Sequence, residues 1–347
     1  MKILVTGGAG YLGSVLIPKL LARGHRVRVI DIGYFGVGHL RGLQPGIDLV
    51  REDLRRVHEH RFLTDLLDGI DCILHLAAIS NDPSAELYPE LTDEINFRTT
   101  VALAEAAKSR GIGLVFSSSC SVYGEGSGEL TEDSNVNPLT VYAVSKVKAE
   151  QQLTEMADIR WKPVILRNGT LFGYSPRMRF DLVVNIFSLY STLHSQIKVF
   201  GDGLQWRPFL HVADCARAFV FFAEKRDPAH TCYNVSHENM RVADLSRIFQ
   251  ELRPSLEVTH TPSDDPDARN YSVSAARVRT EGFRTRFDVQ TGAEQMIEAI
   301  IGGLIPDPES VFYRNAKWLK ELTHIGARDH RQVVELMESF SSAHRIV

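Results

Sequence analysis

The chain has 347 residues, with 44% hydrophobic and 24% charged residues and a formal net charge of −4. That length gives one large or two moderate domains with ample core material, and the charge supplies no bulk drive towards nucleic acid or an anionic lipid surface. Cys72, Cys120, Cys215 and Cys232 show no paired spacing, which argues against a disulfide framework and a zinc site. No apolar run approaches the ~18 residues needed to cross a bilayer, and the start Met1-Lys2-Ile3-Leu4-Val5 leaves no room for a signal peptide, so a cytosolic protein without membrane contact is expected.

Lys2 to Thr6 is a strand candidate that runs straight into Gly7-Gly8-Ala9-Gly10-Tyr11-Leu12-Gly13. Ser14 to Arg23 then reads as a helix closed by Gly24, and Val27 to Ile30 as a second buried strand ending in Asp31. Strand, glycine loop, helix, strand and acid follow in the order that binds a dinucleotide. The glycines let the backbone approach a pyrophosphate, whose charge sits on the helix N-terminus. Asp31 lies 18 residues past Gly13, near the expected ~20 for an acid that bonds ribose hydroxyls. A carboxylate there repels a 2′-phosphate, so NAD is expected over NADP, with Arg28 inside the strand as the one cation that bears on the choice.

Ile47 to Val50 is a third strand, Val57 to Leu67 a helix, and Cys72 to Ala78 a fourth strand ending in small residues. His75 within it reads as a strand histidine without chemistry. A helix from about Leu91 to Arg110 carries Ala and Leu around much of its circumference, which suits burial on two sides. Ile112 to Phe116 is a fifth strand and Pro163 to Arg167 a sixth. The alternation predicts an α/β fold with a parallel sheet covered on both faces. Beyond Gly173 come a basic loop with Arg177 and Arg179, a helix from about Phe180 to His194, a turn at Gly201-Asp202-Gly203, and an irregular extended segment from Gln205 to Val212. A helix from Asp214 to Lys225, a polar loop over 263–270 and an apolar helical pattern over 328–340 complete the pass.

The chemistry is expected between Ser117 and Lys146. The fifth strand runs into the hydroxyls of Ser117-Ser118-Ser119, and Tyr142 and Lys146 lie four apart on the next helix, hence on one face. A lysine beside a phenol favours the phenolate, and a phenolate can take a proton from an alcohol.

These motifs together resemble the extended short-chain dehydrogenase/reductases, and among them the NAD-dependent nucleotide-sugar epimerases and dehydratases, over about residues 1 to 300. The resemblance implies a Rossmann-type doubly wound parallel sheet with a smaller C-terminal substrate-binding domain. Residues 1–172 would form the NAD-binding domain, with 212–228 returning to it, and 173–347 mainly the nucleotide-sugar domain and a C-terminal helix. It assigns Ser119, Tyr142 and Lys146 to catalysis. NAD falls to Gly7, Gly10, Tyr11, Leu12, Gly13, Asp31, Asp53, Leu54, Leu76, Ala77, Ala78 and Asn96, together with Tyr142 and Lys146. Substrate contacts fall to Ser121, Asn168, Thr170, Arg177, Arg207 and Arg269, the last within Asp267-x-Arg269. Thr170 stands where the family carries an asparagine, with Asn168 two residues earlier, and the basic loop reads either as a phosphate or carboxylate site or as solvated surface.

The implied reaction begins with oxidation of the sugar at C4. Dehydratases of the family then use an Asp-Glu pair directly after the catalytic Ser or Thr, where this chain has Cys120-Ser121. The expected outcome is therefore 4-epimerisation. The alternatives are a nucleotide-sugar oxidoreductase, decarboxylase or dehydratase and, from a different class, a non-catalytic cofactor-sensing protein. Pairing of the helices near 91–110 and 140–157 across a two-fold axis implies a homodimer.

Overall fold

A computed structural model of the chain describes residues 1–262 and 269–324. The polar loop residues 263–268, including Asp267, and the helix expected over 328–340 lie outside the described residues. Seven parallel strands form the main sheet. In spatial order they are Cys232–Val235, Val164–Asn168, Gly113–Ser119, Cys72–His75, Lys2–Thr6, Arg26–Ile30 and Ile47–Val50. The chain builds outwards from Lys2–Thr6 to one edge and then returns to build towards the other. The order therefore reverses between Lys2–Thr6 and Cys72–His75, whose last residues, Thr6 and His75, are register partners. In an open parallel sheet, the crevice beyond the carboxyl ends at such a reversal is where ligands bind.

Alternation along the central strand decides which helices cover which face. Ile3 and Val5 join a core with Leu16, Leu20, Phe219 and Phe222, from the helices Gly13–Ala22 and Val212–Glu224. Leu4, one residue away, joins the opposite core with Leu103, Ala107, Ala149 and Leu153, from the helices Thr99–Arg110 and Val141–Met156. Both faces are dry, so the strands read as apolar runs without polar alternation.

Several elements differ from the sequence expectation. The region expected as one helix over Val57 to Leu67 is a 3₁₀ turn, Leu54–His58, followed by the helix His60–Leu67, because Asp53 caps the turn through the Arg55 backbone N–H (2.9 Å). The fourth strand stops at His75, and Leu76-Ala77-Ala78 leaves the sheet as a half-buried extended segment. The helix expected from Leu91 is interrupted by a π-helical turn, Glu94–Arg98, before Thr99–Arg110. Trp206–His211, expected to be irregular, is a regular strand between Thr170–Phe172 and Glu238–Arg241. The seventh strand, Cys232–Val235, has four residues and too short a pattern to stand out. Glu125–Leu130 pairs in parallel with Asn270–Val273, which draws the 269–273 segment to the end of the catalytic strand. A further core of Phe172, Val184, Phe187, Phe209, Leu245 and Phe249 lies outside the large sheet.

The helix Asn315–His324 returns to the cofactor side of the sheet. Its Trp318 donates from Nε1 to the Tyr34 carbonyl (2.7 Å), and Trp318 and Leu322 pack with Tyr34 and Phe35. No helix among the described residues is long and apolar enough to cross a membrane.

Candidate active site

Gly7 has φ of +68° and faces the peptide between Leu76 and Ala77, where a Cβ would lie 2.7 Å from the Ala77 Cα and N. Only glycine fits both the left-handed backbone and that contact. Gly13 is held as tightly, since a Cβ there would sit 2.4 Å from the Gly8 carbonyl oxygen. The loop between them delivers Gly10, Tyr11 and Leu12 to the N-terminus of Gly13–Ala22, which has no side-chain cap and whose positive dipole end favours an anion. Asp31 stands opposite. Its two carboxylate oxygens accept from the Ala9 N–H (2.9 Å) and the Gly33 N–H (2.8 Å), which fixes the carboxylate's orientation. Burial raises its pKa, against those two hydrogen bonds and the charges of Arg177 and Arg51.

Arg28 points away from this pocket. It bonds Asp48 Oδ2 (2.6 Å) and the carbonyls of Asp65 and Leu66 (2.8 and 2.9 Å), so it is occupied at the sheet edge. A glycine cradle, a helix N-terminus and a ribose-side carboxylate fit an NAD molecule, and no committed cation near Asp31 comes from its own strand.

At the other end of the crevice, Ser119 closes the strand Gly113–Ser119 and its Oγ accepts from the Ser121 N–H (3.1 Å). The Ser119 side chain lies close enough to the Tyr142 hydroxyl to lower its pKa. Lys146 is 2% exposed, donates from Nζ to the Ser117 carbonyl (2.9 Å), and lies over the Phe116 ring at 4.7 Å and the Tyr142 ring at 5.7 Å. The helix bearing both begins at Val141, with Thr140 as its cap accepting from the Ala143 N–H (3.1 Å). The three polar groups therefore converge as expected.

Their titration differs from the expectation that lysine lowers the phenol. Burial pushes Tyr142 up to about 12, and the Asp82 charge adds to it, against the Ser119 side chain and the charges of Arg179 and Arg269. Burial also pulls Lys146 down to about 7. In the protein alone desolvation outweighs the cation's help, because the same burial that holds the two groups together penalises both charged forms.

Other expected site residues divide into two groups. Arg207 and Arg269 meet at the cleft: Arg207 Nη1 donates to the Trp206 carbonyl (2.8 Å) and to the Arg269 carbonyl, and Arg269 Nη1 pairs with Asp82 Oδ2 (2.5 Å). Thr170 begins the short strand beside Phe209. Ser121 is buried, with no hydrogen-bond partner for its hydroxyl among the described residues. Leu54 is buried, and Asp53 is bonded by the Arg55 guanidinium (2.9 and 2.6 Å).

Asn96 and Asn168 are occupied inside the scaffold. Asn96 grips Ile79 through both backbone groups (2.8 and 3.0 Å) and donates to Ser145 Oγ (3.0 Å), tying the cofactor-side segment to the catalytic helix. Asn168 donates to Ser117 Oγ and the Ser118 carbonyl (3.1 and 3.2 Å) and accepts from Cys215 Sγ (3.4 Å). His75 bridges Thr6 Oγ1 (2.7 Å) and Thr100 Oγ1 (2.8 Å), a structural role as expected.

The basic loop is not solvated surface: Arg177 is 2% and Arg179 7% exposed. Arg179 forks onto Asp181 (3.0 and 2.8 Å), whose Oδ2 also accepts from Asn81 Nδ2 (2.8 Å). Tyr11 anchors the loop by donating from its hydroxyl to the Gly173 carbonyl (2.5 Å), while Ser175 Oγ donates back to the Tyr11 carbonyl (2.7 Å). Sequence reasoning missed Asn81, Asp82, Asp181 and the helix Asn315–His324. Only the carboxylate next to Pro83 in a cap-like Asn-Asp-Pro run offered a local signal.

The sequence matches the NAD dependent epimerase/dehydratase family over residues 3–236. The chain belongs to that family. It is 34% identical over 235 residues to an uncharacterized UDP-glucose epimerase, YtcB, of Bacillus subtilis (strain 168), covering 63% of this chain and 72% of that protein. It is 28% identical over 326 residues to UDP-glucuronic acid decarboxylase 1 of Arabidopsis thaliana, covering 89% and 72%. Among solved structures, UDP-glucuronic acid 4-epimerase from Bacillus cereus, in complex with UDP-glucuronic acid and NAD, superposes with a TM-score of 0.75 at 26% identity, covering 87% of this chain and 99% of that one. The enzyme's fold is thus the α/β dinucleotide-binding fold that the glycine loop and sheet order describe.

Proposed function

We propose that this enzyme is a nucleotide-sugar 4-epimerase working through a transient 4-ketosugar. The observation that carries the reading is the Ser119–Tyr142–Lys146 cluster at the sheet's carboxyl end with Cys120 and Ser121 beside it. Cys120 is turned into the core, its Sγ donating to the Arg167 carbonyl (3.2 Å), and burial holds its pKa well above the ordinary thiol value. Neither neighbour offers a carboxylate for a C5 proton or a C6 leaving group, so the ketosugar has no acid-base pair there to drive elimination.

When bound, NAD would supply reversible hydride chemistry at C4, and inversion requires the hydride to come back on the opposite face of the ketosugar after the sugar has turned over in the site. Tyr142 Oη takes the proton of the sugar 4-hydroxyl and gives it back, and Ser119 Oγ holds the same oxygen in line. Lys146 stabilises the phenolate and anchors the cofactor's ribose. Gly7, Gly10, Tyr11, Leu12, Gly13, Asp31, Asp53, Leu54, Leu76, Ala77 and Ala78 form the NAD surface, with Asn96 positioning it. Arg207 and Arg269 hold the sugar nucleotide's diphosphate, Thr170 and Ser121 line the sugar side, and Asn168 acts by aligning the strand ends. Residues 1–172 with 212–228 act as the cofactor domain and the remainder chiefly as the substrate domain. The enzyme works in the cytosol as a homodimer through the helices 99–110 and 141–156, with Val144 exposed on the second (38%) and Leu139 exposed just before it (44%). A monomer at micromolar concentration in sedimentation would remove the dimer.

A uronic-acid substrate is the second reading. It is favoured by Arg179, a buried guanidinium whose charge reaches Tyr142, and by relatives whose names specify UDP-glucuronic acid. Incubation with UDP-, dTDP-, GDP- and CDP-sugars, including uronic acids, tests both readings. NMR that shows only C4 inversion with no net NADH supports the first. Carbon dioxide release from a uronic acid would replace it with decarboxylation.

A further inference from the structure

Arg177 is among the largest fully buried side chains in the protein. Its Nη1 donates to the Met178 carbonyl (3.0 Å), its Nη2 to Asn315 Oδ1 (2.6 Å), and the guanidinium stacks on the Phe35 ring at 3.9 Å. Its Nε is buried with no hydrogen-bond partner, and no carboxylate among the described residues lies within ion-pair distance. The groups it touches are neutral, and the charges of Asp181 and Asp31 reach it only from beyond ion-pair distance. A buried cation so placed is costly unless an anion answers it.

The surroundings say which anion. The Arg177 backbone N–H donates to Ser175 Oγ (3.3 Å), which itself donates to the Tyr11 carbonyl, so the residue is two hydrogen bonds from the middle of the glycine loop. Phe35 lies four residues beyond Asp31. The Arg177 charge lowers the pKa of Asp31 and that of His39, whose ring meets Ser14 Oγ (2.9 Å) at the start of the glycine-loop helix. Arg177 therefore lies among Gly10–Ser14, Asp31–Phe35 and the first residue of the helix Asn315–His324, on the cofactor side of the crevice. Arg179, two residues on, is paired with the Asp181 carboxylate instead.

We propose that Arg177 is a ligand of the cofactor's pyrophosphate, brought across the crevice by the 173–181 loop and fixed by Phe35 and Asn315. This moves Arg177 from the substrate to the cofactor and makes the helix Asn315–His324 part of the NAD site. The inference rests on the NAD-binding reading above.

The test uses full-length protein stripped of copurified nucleotide. Calorimetry measures binding of NAD, ADP-ribose, adenosine and NADP to wild type and to Arg177→Met. Losing charge-assisted bonds to a phosphate weakens NAD and ADP-ribose alike by about tenfold to a hundredfold, leaving adenosine unchanged. Because the substitution also removes a buried charge without a counterion, the melting temperature of the nucleotide-free protein stays the same or rises. A structural arginine would give the reverse pattern, a lower melting temperature with unchanged NAD affinity, and that result would overturn the proposal. So would a loss confined to NADP, which would assign Arg177 to a 2′-phosphate. If Arg177→Met fails to fold, Arg177→Gln keeps a donor for Asn315 without the charge, and NAD affinity within twofold of wild type would be decisive against. Wild type that binds no NAD would bring down the cofactor reading itself, whereas equal NAD binding by wild type and variant removes only this inference.

Discussion

Arg167, in the strand Val164–Asn168, and Arg177, in the loop after Thr170–Phe172, are both buried, yet their charges are met differently. Arg167 forks onto Glu150 with N–O distances of 2.7 to 3.1 Å and donates to Tyr123 Oη (2.9 Å). Burial pulls its pKa down, but the Glu150 charge and hydrogen bonds outweigh this and hold it above the ordinary arginine value. At Arg177 burial, with the neighbouring Arg179 charge, outweighs the more distant charges of Asp181 and Asp31, and the guanidinium falls to about 9. The first cation belongs to a closed network under the catalytic strand, where Ser118 also donates to Glu150. The second touches only neutral groups, and its Nε is buried without a hydrogen-bond partner. A complete network stabilises the resting protein, while an incomplete one keeps its charge for a ligand. The catalytic strand and the 173–181 loop thus occupy physically different surroundings.

The largest test of that division is Tyr142→Phe. Turnover should fall by about 10²–10⁴-fold, the usual worth of a positioned acid-base group, with NAD affinity nearly intact. Arg177 variants should do the opposite and act on binding first. Retained turnover in Tyr142→Phe, measured by NMR of the sugar product, would place the proton transfer elsewhere. Glu150→Gln comes next. It leaves Arg167 buried without its carboxylate, at side-chain exposures of 9% and 7% for the pair, and should cost about 3–5 kcal/mol in urea unfolding. If its cost matched that of Arg177→Met, the contrast between the two arginines would collapse.

The third test uses pH. Burial holds His75 at about 3 and His39 at about 4, the latter helped by the Arg177 charge. Both are neutral in the folded protein, whereas in the unfolded chain they gain a proton near ~6.5. The unfolded state therefore binds more protons below that value. Stability that is complete above about 6.5 is lost as pH falls towards 4 for His39 and towards 3 for His75. Urea midpoints at pH 7.5 and 5 measure the loss. In Arg177→Met the His39 midpoint by NMR should rise while that of His75 stays in place. The smallest effect is expected from Arg28→Ala. Its partner Asp48 is half exposed (54%), so the change should cost less than about 1 kcal/mol and leave the preference for NAD over NADP untouched.

Much of the first half of the molecule was legible because its information is local. The run from Lys2 to Asp31 carries its strand, glycine turn, helix and acid in consecutive residues, and the Tyr142-to-Lys146 spacing fixes a helix face by geometry alone. The seventh strand and the pairing of Glu125–Leu130 with Asn270–Val273 were not legible, since four to six residues of mixed pattern become strands only when a partner edge is present. Asn96 and Asn168 show a different limit. Their types suited ligand contacts, but their amides are used up by Ile79, Ser145, Ser117 and Ser118, which lie far away in the chain.

By itself, then, the sequence determined an α/β sheet with a dinucleotide crevice and a serine-tyrosine-lysine cluster at its rim, because each depends on residue spacing within one or two elements. Tertiary structure alone decided how the charges are met. Whether an arginine is surface, half of an ion pair or a buried cation awaiting an anion depends on partners distant in sequence, such as Glu150 for Arg167 and Asn315 and Phe35 for Arg177. Burial, set by the whole fold, decides as well that Tyr142 and Lys146 resist charging in the protein alone. Desolvation acts on a group's full surroundings, and no spacing in the chain encodes it.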